Sequence, residues 1–232
     1  MNKEAVMRIC FVSRDTPSAF LQTCERKKCE REKGVDVTLF GFCGDEVSYE
    51  KELKGETDFF EELALLSKCT QGVVACGCLT DTHGHKRKSV AVAENGRILG
   101  VSDMLNAIDG EVSSGAALRV YETKVGRMGV VVAEDLLFPE IFKSLAVCGS
   151  DFIVCPFGTM EEIQPILLRA CAYSYGVPVF FCADGYCMLA DVTGNVAFAS
   201  PQSPAYVDFT AIKEYHLVET RRRGFYKPRR EK

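Results

Sequence analysis

Short apolar runs separated by amphipathic stretches set the pattern of this chain. Residues 7–13 (M-R-I-C-F-V-S), 35–40 (V-D-V-T-L-F), 73–78 and 177–183 each read as a core strand. Val130, Val131 and Val132 read as a strand buried on both faces, and the run from Phe152 (F-I-V-C-P-F-G) as another. Between them, residues 18–33, 57–69, 141–147 and 163–175 have helical spacing. Phe59, Phe60, Leu63 and Leu66 fall on one side of the second helix, and Gly176 ends the last. Hairpins then follow. Asn95-Gly96 joins residues 89–93 to 97–102, after a polar turn over residues 80–87. Residues 117–121 pair with the strand after Lys124, and Thr193-Gly194 separates residues 185–190 from 196–199. Alternating helix and strand, with no Gly/Pro/Ser linker and no internal repeat, predicts one α/β domain over residues 1–232. It would hold mixed sheets with helices outside.

Composition narrows the partners. The chain has 232 residues, 47% hydrophobic and 26% charged, as in a globular enzyme-like domain. A net charge of −4 disfavours nucleic acid or an anionic membrane as main partner. No apolar run reaches the roughly 18 residues of a membrane helix. The acidic start, Met1-Asn2-Lys3-Glu4, running into a strand, carries no signal peptide, which makes the cytoplasm the expected compartment. Twelve cysteines could mean disulfides, but Cys10, Cys155 and Cys182 sit singly in apolar runs, as small buried hydrophobes do. Residues 221–232 (R-R-R-G-F-Y-K-P-R-R-E-K) form a basic tail with Phe225 and Tyr226 as apolar anchors. Read alone, the tail suggests an arm for phosphate or RNA.

Residues 130–140 (V-V-V-A-E-D-L-L-F-P-E) carry the chemistry. A strand that breaks sharply into a helix exposes one side chain beside the helix's first N–H groups, where nucleophiles are often placed. The side chain at this elbow is the methyl of Ala133. G-V-V-V-A-E-D-L-L-F-P-E resembles the nucleophile elbow of the nitrilase, or carbon–nitrogen hydrolase, superfamily (G-x-x-I-C-Y-D-x-R-F-P-E). Further likenesses are D-V-T-L-F, E-N-G-R-I-L-G-V, R-A-C-A-Y-S-Y-G-V-P-V, G-Y-C-M-L-A-D-V-T-G-N-V and V-D-F. The resemblance implies an α-β-β-α sandwich of two packed mixed sheets, and a tail at residues 221–232 that packs along a subunit interface through Phe225 and Tyr226. It also implies a cysteine nucleophile, a glutamate base and a lysine that stabilises the tetrahedral intermediate. On this alignment the cysteine falls on Ala133 and the glutamate on Phe42. The lysine falls on Met104, or on Asp103 one register away; Lys88 and Lys124 are the nearest lysines. All three positions lack the family's chemistry.

Other groups are weaker candidates. Glu134 and Asp135 could act as acid and base, but neighbours on an extended segment point to opposite faces. Glu111 lies near an additional family glutamate, although a solvated loop acid explains it too. Cys155 ends a strand near the expected pocket with nothing adjacent in sequence to activate it. Cys76, Cys78, His83 and His85 lack zinc-knuckle spacing, so no metal and no cofactor is expected. The leading expectation is a nitrilase-fold homodimer without the family's catalysis, acting as a ligand-binding, scaffold or regulatory protein. The alternatives are an amidohydrolase with a rearranged site (Glu134, Asp135, Cys155) and a nucleic-acid-associated protein acting through its tail.

Overall fold

The computed structural model describes residues 6–26, 34–108 and 110–210; the side chains of residues 25, 26, 43 and 45, like the tail at 221–232, lie outside the description. The first half runs β1 (Val6–Val12), α1 (Pro17–Arg26), β2 (Val37–Ser48), α2 (Tyr49–Lys54), α3 (Phe59–Thr70), β3 (Val73–Thr82), β4 (His85–Glu94) and β5 (Arg97–Asp103). The second half runs β6 (Val120–Thr123), β7 (Gly126–Val130), a 3-10 turn (Ala133–Leu137), α4 (Pro139–Val147) and β8 (Phe152–Pro156). It continues through α5 (Ile163–Tyr175), β9 (Val179–Ala183), β10 (Tyr186–Ala190), β11 (Val196–Ser200) and β12 (Ala205–Thr210).

Two six-stranded mixed sheets result, in the orders β12-β1-β2-β3-β4-β5 and β11-β10-β9-β8-β7-β6. In each, three strands pair in parallel through helical crossovers, and antiparallel strands extend the sheet to either side. Strand alternation sorts the side chains into layers. Val37, Leu39, Val73, Val90 and Val92 meet Val130, Phe152, Val154 and Phe180 between the sheets. The opposite faces are covered by helices: Phe40, Val74 and Cys76 lie under Phe59, Leu63 and Leu66, while Ile153, Cys155 and Phe181 lie under Phe142, Leu145 and Leu168. Each fully buried aromatic or branched side chain contributes roughly 1.5–3 kcal/mol, so these three layers hold the architecture.

Three elements depart from the expectation. β2 does not stop at Phe40 but continues to Ser48, with irregular register on both sides of Phe42. The polar turn over residues 80–87 is two strand ends instead. Only His83 (φ 52°) and Gly84 (φ 83°) turn, in the doubly left-handed shape that suits a two-residue hairpin, and Asp81 accepts from the Gly84 N–H at 2.7 Å. α2 follows directly on β2 and buries no residue, so no apolar periodicity announces it.

The irregularity in β2 fixes where Phe42 goes. A Cβ on Gly41 would stand 3.3 Å from the carbonyl oxygens of Phe157 and Cys182, so the two sheets' backbones approach closely here. The Phe42 N–H donates to the Phe157 carbonyl at 3.0 Å, joining the sheets. Its ring lies over Gly77 of β3, where a Cβ would come within 2.4 Å of ring carbon Cδ2. Glycine at residue 77 is what lets a phenyl ring turn inward.

Candidate functional site

The elbow is built from β7 onward. After Val130 the chain stays extended, with the Val131 N–H donating to the Val154 carbonyl at 3.0 Å. It then reverses at Ala133, whose φ of 46° is left-handed. For a residue with a Cβ this costs on the order of 1–2 kcal/mol and persists only where surroundings impose it. The 3-10 turn follows, closed by the Asp135 N–H on the Val132 carbonyl and the Phe138 N–H on the Asp135 carbonyl. Pro139 then starts α4 at a position that needs no N–H. Strand, left-handed residue, turn and helix are all present, with a buried methyl at the apex.

Asp135 anchors this turn. It is 1% exposed. The backbone N–H groups of Leu105 (2.8 Å) and Asn106 (2.9 Å) and the Asn106 side-chain amide (2.8 Å) all donate to its carboxylate. Burial holds this carboxyl above its ordinary range, while the three donors pull the other way. The clamp ties the chain after β5 to the elbow and brings Met104 into the inter-sheet core. There Met104 is buried with Ala133, and Phe42 packs against the same cluster. Further bonds hold Met104: its N–H donates to the Lys88 carbonyl at 2.8 Å, and its carbonyl accepts from the Gly115 N–H at 2.7 Å.

Glu134 points away from Asp135. The expected divergence is there, but a 3-10 turn produces it rather than an extended segment. Its Oε1 lies 2.5 Å from Nζ of Lys88 on β4, and its Oε2 is buried with no partner. Both side chains are about a quarter exposed, at 25% for Lys88 and 29% for Glu134. Sequence reasoning weighed Lys88 only as one of the lysines nearest the Met104 position, because it falls between the polar turn at residues 80–87 and the strand expected at 89–93. As part of β4 it has the parity of Val90 and Val92, which face between the sheets.

The remaining candidates are dispersed. Asp103 points elsewhere, accepting from the Ser89 hydroxyl at 2.8 Å with Arg87 Nε 4.0 Å away. Tyr49, whose phenol is pushed up to about 12 by burial and then by Asp103, belongs to that same group. Cys155 is fully buried beneath α5, and that burial drives its thiol well above the ordinary value, the opposite of an activated nucleophile. Glu111 is exposed in the loop between β5 and β6. Cys76 and Cys78 face α3, whereas His83 sits in the hairpin turn against Glu50. Among the described residues no three His, Cys, Asp or Glu side chains gather as a metal set, and no helix is long and apolar enough to cross a membrane. A cleft of about 330 Å³ opens beside Phe42, on the side of β1, and neither Met104 nor Ala133 lines it.

By sequence, no protein-family model and no characterised protein matches this chain. By structure, likeness extends over almost its whole length. Nit3 of Saccharomyces cerevisiae, a member of branch 10 of the nitrilase superfamily, superposes with a TM-score of 0.73 at 16% identity, over 97% of both chains. A cysteine-to-alanine mutant of the amidase from Nesterenkonia sp. AN1, in complex with butyramide, gives 0.74 at 16% identity over 95% of both chains. A glutamate mutant of that amidase, with the acetamide moiety of fluoroacetamide added covalently at its active-site cysteine, gives 0.74 at 15% over 95% of both chains. The two packed mixed sheets are therefore the nitrilase-superfamily fold.

Proposed function

We propose that this chain is a carbon–nitrogen hydrolase homologue that has lost the family's catalysis and serves as a ligand-binding or regulatory protein. Phe42, Met104 and Ala133 stand for the base, the lysine and the nucleophile. The observation that carries the reading is Ala133: a left-handed elbow residue, clamped through its neighbour Asp135, that presents a methyl group. Backbone strain of that kind is usually retained at a functional apex, and a methyl cannot attack a carbonyl or nitrile carbon. The joint replacement also makes physical sense. Stranding one buried charge of a pair costs roughly 3–5 kcal/mol, whereas a wholly apolar set avoids that cost.

A second reading, amide hydrolysis through a rearranged site, rests on the Lys88–Glu134 pair beside the elbow. Of its other candidates, Asp135 is committed to three donors and Cys155 is sealed. Turnover of a panel of small amides and nitriles separates the two readings. Wild type and Ala133→Cys should both be inactive, because a restored thiol without its base and electrostatic partner recovers little. Turnover by wild type that disappears in Glu134→Gln would establish the rearranged site. Turnover by Ala133→Cys alone would show that a base and donor remain.

The chain is proposed to work as a homodimer in the cytoplasm. α5 supports assembly, since Ile163, Ile166 and Tyr173 recur on one side of it and remain exposed, beside the exposed Leu137. Binding of nucleic acid through residues 221–232 is a third reading. It predicts affinity that falls steeply with salt and vanishes when the tail is deleted.

A further inference from the structure

The cleft beside Phe42 lies between the ends of β1 and β2 on one sheet and those of β8 and β9 on the other. At about 330 Å³ it matches the small end of ligand pockets, about 300–1,000 Å³. Its walls are unlike the apolar elbow: Ser13, Arg14, Thr16, Thr159 and Asp184 line it, with Phe42 as the large apolar surface.

Backbone hydrogen bonds fix these walls. The Gly185 N–H donates to the Ser13 carbonyl at 3.0 Å, and the Asp184 N–H to the Gly158 carbonyl at 3.0 Å. The N–H groups of Ser13 and Arg14 both donate to the Ser203 hydroxyl, at 3.0 and 3.2 Å. Thr16 caps α1, its hydroxyl accepting from the Ala19 N–H at 3.2 Å, so the helix begins at the rim of the cleft. A site held this way loses little freedom when it is filled.

Two observations point to an occupant. Ser13 is only 5% exposed, and its hydroxyl oxygen is buried with no hydrogen-bond partner. Buried polar atoms are nearly always satisfied, and this one, closed to solvent as Ser13 stands, comes within reach of a ligand's polar group when the side chain turns toward the cleft. Opposite charges also share the cleft without meeting. The Arg14 guanidinium rests over the turn at Gly185, where a Cβ would be 3.6 Å from its Nε, and Asp184 is the preceding residue. Among the described residues neither Arg14 nor Asp184 belongs to an ion pair. A simple anion would face the Asp15 and Asp184 carboxylates, and a simple cation would face Arg14. Only a molecule carrying both signs matches both.

We propose that this cleft binds a small zwitterion of amino-acid size. Its carboxylate lies against Arg14, where bidentate pairing with the guanidinium favours an anion. Its ammonium lies against Asp184, and its side chain against the Phe42 ring. The proposal gives a ligand class to the binding role above and rests on that reading only there, since turnover measurements decide the loss of catalysis separately.

The test is calorimetry and thermal shift on the full chain. The probes are the standard L-amino acids, each compared with the amine lacking its carboxylate and the acid lacking its amine, and with inorganic phosphate. At least one amino acid should bind saturably where its amine, its acid and phosphate do not. Arg14→Gln and Asp184→Asn, both at exposed residues, should each weaken that binding about tenfold or more without moving the melting temperature of the free protein. Ser13→Ala should raise the melting temperature of the free protein yet weaken binding, opposite signs that a purely structural hydroxyl would not give. The proposal fails if no amino acid binds, if phosphate or the bare acid binds as tightly, or if binding survives both charge variants.

Discussion

Lys88 and Glu134 allow a quantitative test of how the ground beside the elbow is held. Unit charges about 4 Å apart attract by about 4 kcal/mol at the effective dielectric of a protein surface. Desolvation and the ordering of a lysine side chain, worth up to about 2 kcal/mol, take back much of that. Because both side chains are about a quarter exposed, the net coupling should be about 1–2 kcal/mol, above an open surface pair and below a sealed one. The single substitutions should not be equal. In Lys88→Met the carboxylate loses its one cation while Oε2 is already buried without a partner, which should cost about 2–3 kcal/mol. In Glu134→Gln the lysine can carry its charge to water along a flexible stem, and the cost should be about 1 kcal/mol. For a chain this long, Lys88→Met should then lower the melting temperature by about 4–12 °C. Urea unfolding of the two single variants and of Lys88→Met/Glu134→Leu closes the cycle. A coupling below about 0.5 kcal/mol, or a Glu134→Gln as damaging as Lys88→Met, would refute the pairing as drawn.

Two further predictions concern the clamp and the assembly. Asp135→Ala orphans the part-buried N–H groups of Leu105 and Asn106 and should cost about 2–4 kcal/mol in urea unfolding. Because burial raises the Asp135 pKa, the folded state holds more protons than the unfolded state between the ordinary carboxylate value and the raised one. The stability owed to this group therefore falls as pH rises through that window and then levels off, and Asp135→Asn should flatten that part of the profile. Light scattering should report a dimer. Ile166→Glu, at a side chain 59% exposed, should give a folded monomer, and a wild-type monomer at micromolar concentration would remove the case for α5 as the interface.

Much of the fold could be read from runs of side chains. Phe152–Pro156 and Val179–Ala183 are apolar without alternation because helices cover one face and the second sheet the other. α5 stops at Gly176 because that residue is left-handed (φ 65°), and Asn95-Gly96 turns as a hairpin because both residues are. Patterning failed where tertiary contacts replace hydrophobicity. β2 beyond Phe40 is glycine- and acid-rich, held by pairing to β3 and by the Phe157 carbonyl. The far ends of β3 and β4 carry polar side chains on both faces, so residues 80–87 read as a turn and Lys88 was left outside the strand expected at 89–93. Its partner Glu134 is 46 residues away in sequence, beyond the reach of any local signal. Asp135 could be singled out as an acid beside an elbow. That it clamps the chain after β5 could not, since two of its three bonds come from backbone N–H groups that no residue type announces.

The left-handed Ala133 shows what keeps an elbow in shape with a methyl group at its apex. Glycine would relieve the positive φ, on the order of 1–2 kcal/mol. It would also give up a buried methyl, about 0.8 kcal/mol, and loosen the unfolded chain by about 0.4–1 kcal/mol. These effects nearly cancel, so the strain offers little reason for the residue to change or for the turn to relax. The geometry is imposed from outside the apex: Val131 is bonded to β8, Pro139 is set at the start of α4, and Asp135 is bound to the chain after β5. None of those contacts involves the side chain at residue 133. A scaffold arranged this way keeps its shape whichever small side chain it presents. It also keeps Met104 close to the apex, because the chain that Asp135 clamps begins at the very next residue.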